Sequence, residues 1–144
     1  MSNGKNEMDI KFDELYIGQE YSRTFQVTEE KGRAFAEVSQ DYNLLHLDEK
    51  YAQNTIFHGR IVHGMLVASF ISGVLGNDFP GTGTVYLGQE LQFVRPVRYG
   101  DEISVTVRIT EMDQETGRIR LSTICKNQSG QSVIEGYAHI MKKG

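Results

Sequence analysis

Ile61-Val-His-Gly-Met-Leu-Val-Ala-Ser-Phe-Ile-Ser-Gly-Val-Leu-Gly-Asn77 contains the longest apolar stretch of this 144-residue chain, and its reading decides the fold. At helical spacing it is apolar on nearly every side, the pattern of a helix enclosed by a sheet rather than laid on a surface. A comfortable membrane span needs roughly 20 apolar residues. This stretch is shorter and includes His63, Ser69 and Ser72, so a buried central helix is expected. Pro80-Gly81 and Gly83 end it.

Downstream the period changes to two. Ile103, Val105, Val107 and Ile109 alternate with charged or hydroxyl residues, and Ile119, Leu121, Thr123 and Cys125 repeat the pattern after an Asp113–Gly117 turn. With Thr84–Val94 before them and Ser132–Met141 after Gly130, this predicts four antiparallel strands. Upstream, Tyr21, Arg23, Phe25 and Val27 predict a half-buried strand. Thr28 then caps a helix over Glu29–Ser39, with Ala34, Phe35 and Val38 as its apolar positions. Asp48 starts a short helical piece through Ala52. The order is strand, helices, then four strands, an α+β chain with one buried helix.

The length suits one domain that buries its own core. Residues 1–9 read as a polar tail and residues 10–144 as the domain. A lone Cys125 cannot form an internal bridge, which suits a reducing compartment, and the N-terminus is polar and charged through Lys11. A cytoplasmic location is expected. The formal charge of −4, with no basic stripe, argues against a nucleic-acid partner. No membrane partner is expected either.

Asp41-Tyr-Asn-Leu-Leu-His46 carries the chemistry. A carboxylate and an imidazole five positions apart can face each other across a tight turn, which Asp41 and Asn43 favour, and together they can hold one water. Beyond it, the Gly64 amide falls in the first turn of the central helix, where an N–H has no intrahelical partner and the helix dipole is positive. Such an amide can bind an oxyanion, and glycine permits close approach. Asp41 alone reads as a turn residue and His46 alone as a half-buried side chain. Their pairing with the His63-Gly64 helix start makes the functional reading. Gly64 has the bland alternative of close helix packing.

These residues resemble the MaoC-like hydratases, most closely the (R)-specific enoyl-CoA hydratases. The resemblance extends through His63–Gly76, Val85-Tyr-Leu-Gly-Gln-Glu-Leu-Gln-Phe93, Arg95-Pro-Val and Gly100-Asp-Glu, covering most of the chain after about residue 20. Leu44 stands where that family commonly has proline, so the turn lacks a fixed backbone angle. The resemblance implies a hot-dog fold, a long helix wrapped by a curved antiparallel sheet. It also implies reversible hydration of trans-2-enoyl-CoA to the (3R)-3-hydroxyacyl product, in a homodimer with the acyl site near the interface. Ser72 matches a serine that contacts the catalytic acid, and Leu75 and Ile140 are implied candidates for the acyl-pocket floor. Ser72 bonded to a carbonyl one turn back, and Leu75 and Ile140 as plain core, are the bland alternatives.

Asn43 and His63 are expected to support the site, His63 by orienting the loop. His58 is expected to face solvent, His139 to lie on the last strand and Cys125 in the core. No His-x-x-x-His or Cys/His cluster marks a metal site, and hydration needs no cofactor, CoA being part of the substrate. Two rivals remain: a hot-dog acyl-CoA thioesterase, which the Asp-x-Asn-x-x-His spacing disfavours, and a non-catalytic acyl-thioester-binding module.

Overall fold

The computed structural model describes residues 9–143. After a 3-10 turn at Phe12–Glu14 come strand β1 (Glu20–Gln26), helices α1 (Glu29–Ser39), α2 (Leu44–Leu47), α3 (Glu49–Gln53) and α4 (Gly64–Gly73), and strands β2 (Val85–Phe93), β3 (Glu102–Asp113), β4 (Arg118–Lys126) and β5 (Ser132–Met141). The strands form one antiparallel sheet in the order β1-β3-β4-β5-β2. The register breaks between Tyr86 and Gly88 on β2 and between Ile109 and Glu111 on β3. An extra residue at such a point bends a strand and increases its twist, which curves the sheet around the helix.

The expected alternation is present. Ile103, Val105, Val107 and Ile109 on β3, and Ile119, Leu121, Thr123 and Cys125 on β4, all point inward. All of these but Thr123 form one apolar core with Val67, Ile71, Val74 and Leu75. This is the hot-dog arrangement, with the central helix on the concave face of the sheet.

The central helix differs from its expected span of 61–77. Residues 61–63 are not helical, and the last turn, Val74–Asp78, is a π-helix. Nor is the helix covered all round. Met65, Ser69, Ser72, Gly73 and Gly76 share one exposed stripe, and Met65 is 55% exposed. The strand β2 has a neighbour on one side only, and its Val85, Tyr86 and Leu87 are also exposed.

Helix α1 has the expected limits and cap, with the Thr28 hydroxyl accepting from the Lys31 amide. Its inward face does not match expectation: Ala34 and Val38 are exposed, Val38 at 85%, while Gly32 and Ala36 are buried and Phe35 is half-buried. Contact with Tyr99 decides this, since a Cβ on Gly32 would sit 2.5 Å from the Tyr99 hydroxyl.

Of the expected polar tail, residues 1–8 lie outside the described residues. Asp9 is tied down by a bridge to Gly81, and its Oδ1 accepts from Lys142 Nζ at 2.6 Å. Among the described residues no helix is long and apolar enough to cross a membrane.

Candidate active site

The turn that presents Asp41 is built locally. Helix α1 ends on Gln40 in the left-handed conformation, at φ 62°. The Ser39 hydroxyl, itself donating to the Phe35 carbonyl, accepts the Asp41 amide at 3.1 Å. Asp41 Oδ1 then accepts the Asn43 amide at 3.2 Å, and Asn43 Oδ1 caps α2 by accepting the Leu45 amide at 3.0 Å. Asn43 therefore supports the site as the cap of the one-turn helix that carries His46. Backbone donors and a side-chain cap hold this turn without the ring a proline would supply at position 44.

His46 Nδ1 lies 2.9 Å from the Ile61 carbonyl oxygen. A carbonyl only accepts, so Nδ1 carries the proton, and in the neutral ring Nε2 is left as an acceptor. His63 is 2% exposed, and its Nε2 donates to the Asp41 carbonyl at 3.0 Å. Its ring stacks on that of His46 with centroids 4.0 Å apart, and the Phe35 ring packs against it, tilted, at 5.1 Å. His63 thus ties the start of α4 to the backbone of the Asp41 turn. One potential ligand atom from each of Asp41, His46 and His63 lies within 4.8 Å of the others, a group that a metal ion could use and that no sequence spacing announced.

Gly64 opens α4. The first amide to bond back is that of Leu66, donating to the His63 carbonyl at 3.0 Å, so the Gly64 N–H precedes the helical ladder. A Cβ there would lie 2.7 Å from the Phe93 ring. Glycine is thus required by the approach of Phe93 as well as being suited to the approach of a ligand.

These groups edge a cavity of about 500 Å³. Asp41, His46, His63 and Gly64 line it, with apolar walls from Val62, Val67, Phe93, Val133 and Ile134, and with Arg95 as the cation among its lining residues. A proton acceptor pair, a free helical amide and an apolar slot are what addition of water to a conjugated thioester calls for.

The remaining expected residues lie elsewhere. Ser72 is exposed on the open stripe of α4, and no hydrogen bond joins it to Asp41 among the described residues. Two turns of helix separate it from Gly64 along the chain. Leu75 and Ile140 are fully buried in the core and do not line the cavity, whose apolar depth is made by Val67, Val133 and Ile134. Leu75 falls instead in the π turn, on the inward side. His58 is exposed and His139 lies on β5, bonded to Glu90 at 3.1 Å. Cys125 is buried, and burial pushes its thiol up to about 12.

Two residues that the sequence reading passed over hold the site from outside. The Tyr99 hydroxyl donates to the His46 carbonyl at 3.0 Å. The Arg98 guanidinium donates to the carbonyls of Phe57, Gly59 and Arg60 at 2.8, 3.1 and 3.2 Å. Both sit in the two-residue gap between the quoted segments Arg95-Pro-Val and Gly100-Asp-Glu. Their targets are main-chain oxygens, which leave no mark in a sequence.

The chain is similar to known proteins over most of its length. The family model described as "MaoC like domain" matches residues 14–129. The chain is 42% identical over 130 residues to the (R)-specific enoyl-CoA hydratase of Rhodospirillum rubrum, covering 90% of each. It is 40% identical over 124 residues to the (R)-specific enoyl-CoA hydratase of Aeromonas caviae, covering 86% of this chain and 92% of that one. The unliganded R-hydratase PhaJ1 from Pseudomonas aeruginosa superposes with a TM-score of 0.90 at 41% identity, over 95% of this chain and 88% of the other.

Proposed function

This chain belongs to the MaoC-like domain family, and we propose that it is an (R)-specific enoyl-CoA hydratase, a hydro-lyase that reversibly adds water to trans-2-enoyl-CoA. The observation that carries the proposal is the 2.9 Å contact of His46 Nδ1 with the Ile61 carbonyl, which makes Nδ1 the donor and leaves Nε2 as an acceptor at the edge of the cavity that Asp41 also lines. A water between two acceptors gives each a hydrogen and keeps its oxygen lone pair free for C3.

As the C3–O bond forms, Asp41 takes one water proton as base, and His46 Nε2 holds the other hydrogen. Electrons from the C2–C3 double bond move onto the thioester oxygen, where the Gly64 N–H stabilises the charge. Return of the proton from Asp41 to C2 completes the addition. One water serves both carbons from one face, so addition is syn. The (3R) configuration follows from the relatives' names. Dehydration runs through the same groups in reverse.

The reaction uses no cofactor in this reading, since water and the thioester supply every atom. Arg95 meets a phosphate of the CoA portion. The exposed stripe of α4 and the open edge of β2 form the face of a homodimer, and Ser72 then acts at that interface. Cytoplasm is the proposed location, supported by a lone buried thiol.

Crotonyl-CoA tests the proposal. Loss of the conjugated-enoyl absorbance without release of free thiol is the expected outcome. Thiol release in step with the loss identifies a thioesterase, and no change in either identifies a binding module.

A further inference from the structure

We propose that Arg98 is a positioning residue of the proton-transfer site, fixing the loop whose Ile61 carbonyl keeps the His46 proton on Nδ1. Arg98 reaches no reacting atom. Its guanidinium donates to three carbonyls, those of Phe57 at 2.8 Å, Gly59 at 3.1 Å and Arg60 at 3.2 Å, and the next carbonyl along the chain is the one that accepts from His46 at 2.9 Å.

The clasp is itself anchored. The Arg98 amide donates to Asp101 Oδ2 at 2.9 Å, and a Cβ on Gly59 would meet the guanidinium at 3.5 Å. The Ile61 amide, in the same peptide as the Arg60 carbonyl, donates to the Leu45 carbonyl at 3.3 Å, and the Val62 amide, in the same peptide as the Ile61 carbonyl, donates to the Val97 carbonyl at 2.7 Å. With Arg98 in place, the peptide that carries the Ile61 oxygen is held through its own Val62 amide and through both polar groups of the peptide before it, which keeps that oxygen on His46.

The consequence is chemical. A neutral imidazole has one N–H and one acceptor nitrogen, and the hydrogen bond at one nitrogen sets the role of the other. If the Ile61 oxygen drifts, Nδ1–H loses its acceptor, the proton redistributes to Nε2, and Nε2 can no longer accept a hydrogen from water. A planar guanidinium holds its donors in a fixed fork spread over several nitrogens, whereas the three donors of lysine radiate from one rotatable ammonium. Retention of charge alone is therefore insufficient.

The inference rests on the proposed role of His46, and its test has one readout that does not depend on activity. The ring nitrogens of His46 are followed by 15N NMR in the full chain, at a pH above the ordinary imidazole value of about 6.5. Wild-type protein is expected to show the Nδ1–H pattern. In Arg98→Lys and Arg98→Ala the pattern shifts toward Nε2–H, and kcat on crotonyl-CoA falls roughly tenfold or more, as misplacement of a reacting group does, while KM stays within about twofold. If Arg98→Ala does not fold, Arg98→Lys and Arg98→Gln carry both measurements.

Variants that lose thermal stability but keep the Nδ1–H pattern and wild-type kcat overturn the proposal and leave Arg98 a loop brace. An altered pattern with unchanged kcat overturns it as well. A wild-type protein that does not hydrate crotonyl-CoA sinks the proposed function instead, and the NMR comparison still decides whether Arg98 sets the tautomer.

Discussion

In the proposed reaction Asp41 and His46 each begin with one position already occupied: Asp41 Oδ1 by the Asn43 amide, and His46 Nδ1 by the Ile61 carbonyl. What remains free is one carboxylate oxygen and one ring nitrogen, both acceptors. Asp41→Asn exchanges that oxygen for a group that cannot take a proton, and His46→Ala removes the second hold on water. Each is expected to lower hydration of crotonyl-CoA by about a hundredfold or more, the scale for a positioned acid or base, with little change in melting temperature. A folded Asp41→Asn protein with near-normal turnover would contradict the assignment. Residue types made this part of the site legible, because a turn-forming acid, a capping amide and a glycine at a helix start each signal their local role. Ile61 and Arg98 were illegible because they act through main-chain carbonyls, which every residue carries. Ser72 lies on α4, exposed in the single chain, and no hydrogen bond joins it to Asp41 among the described residues.

At the scale of elements, strands β3, β4 and β5 were readable because one face of each packs on the core and the other does not, so burial imprints a period of two. Helix α1 was readable in its limits through Thr28, yet not in its facing. Small residues, Gly32 and Ala36, make its contact, and hydrophobicity gave the wrong side. The π turn at the end of α4 carries no distinctive residue pattern, and it turns Leu75 into the core. Leu75→Ala is therefore expected to cost about 2–5 kcal/mol of stability, as for other buried leucines. It should leave the octenoyl-CoA to crotonyl-CoA ratio of kcat/KM unchanged. Ile134→Ala, at the apolar depth of the cavity, should raise that ratio, since each added methylene gains up to about 0.8 kcal/mol of burial. Equal ratios in wild type and Ile134→Ala would take Ile134 off the acyl path, and a rise in Leu75→Ala would return the path to Leu75.

For the whole molecule, the proposed homodimer uses the open stripe of α4 and the edge of β2, which has a neighbour on one side only. Gly73 is the informative position because a Cβ there meets nothing within 4 Å in the single chain. Gly73→Arg is tolerated by the monomer on those grounds, and it even improves helix propensity. In a homodimer built on this stripe it places a charge in the interface. Sedimentation should find wild type at twice the 16.3 kDa chain mass and Gly73→Arg at the chain mass; a dimeric variant rules this face out. The overall charge of −4 raises a second question at this scale, because a CoA thioester is itself strongly anionic and must be drawn in against that field. Arg95 is the cation lining the cavity, and its Nη1 donates to the Ser132 carbonyl at 2.9 Å, which orients the guanidinium while leaving its other donors for a phosphate. A charged hydrogen bond of that kind contributes about 1.5–3 kcal/mol when well formed, and less at an exposed site such as this. Arg95→Ala should accordingly raise KM for crotonyl-CoA several-fold, up to about tenfold, with kcat little changed, because every 1.4 kcal/mol is a factor of ten. The N-acetylcysteamine thioester of crotonate has the same reacting atoms and no phosphate. Its kcat/KM should be equal in wild type and variant. If both substrates weaken together, Arg95 shapes the cavity rather than meeting the phosphate, and the anchor for CoA lies on another residue.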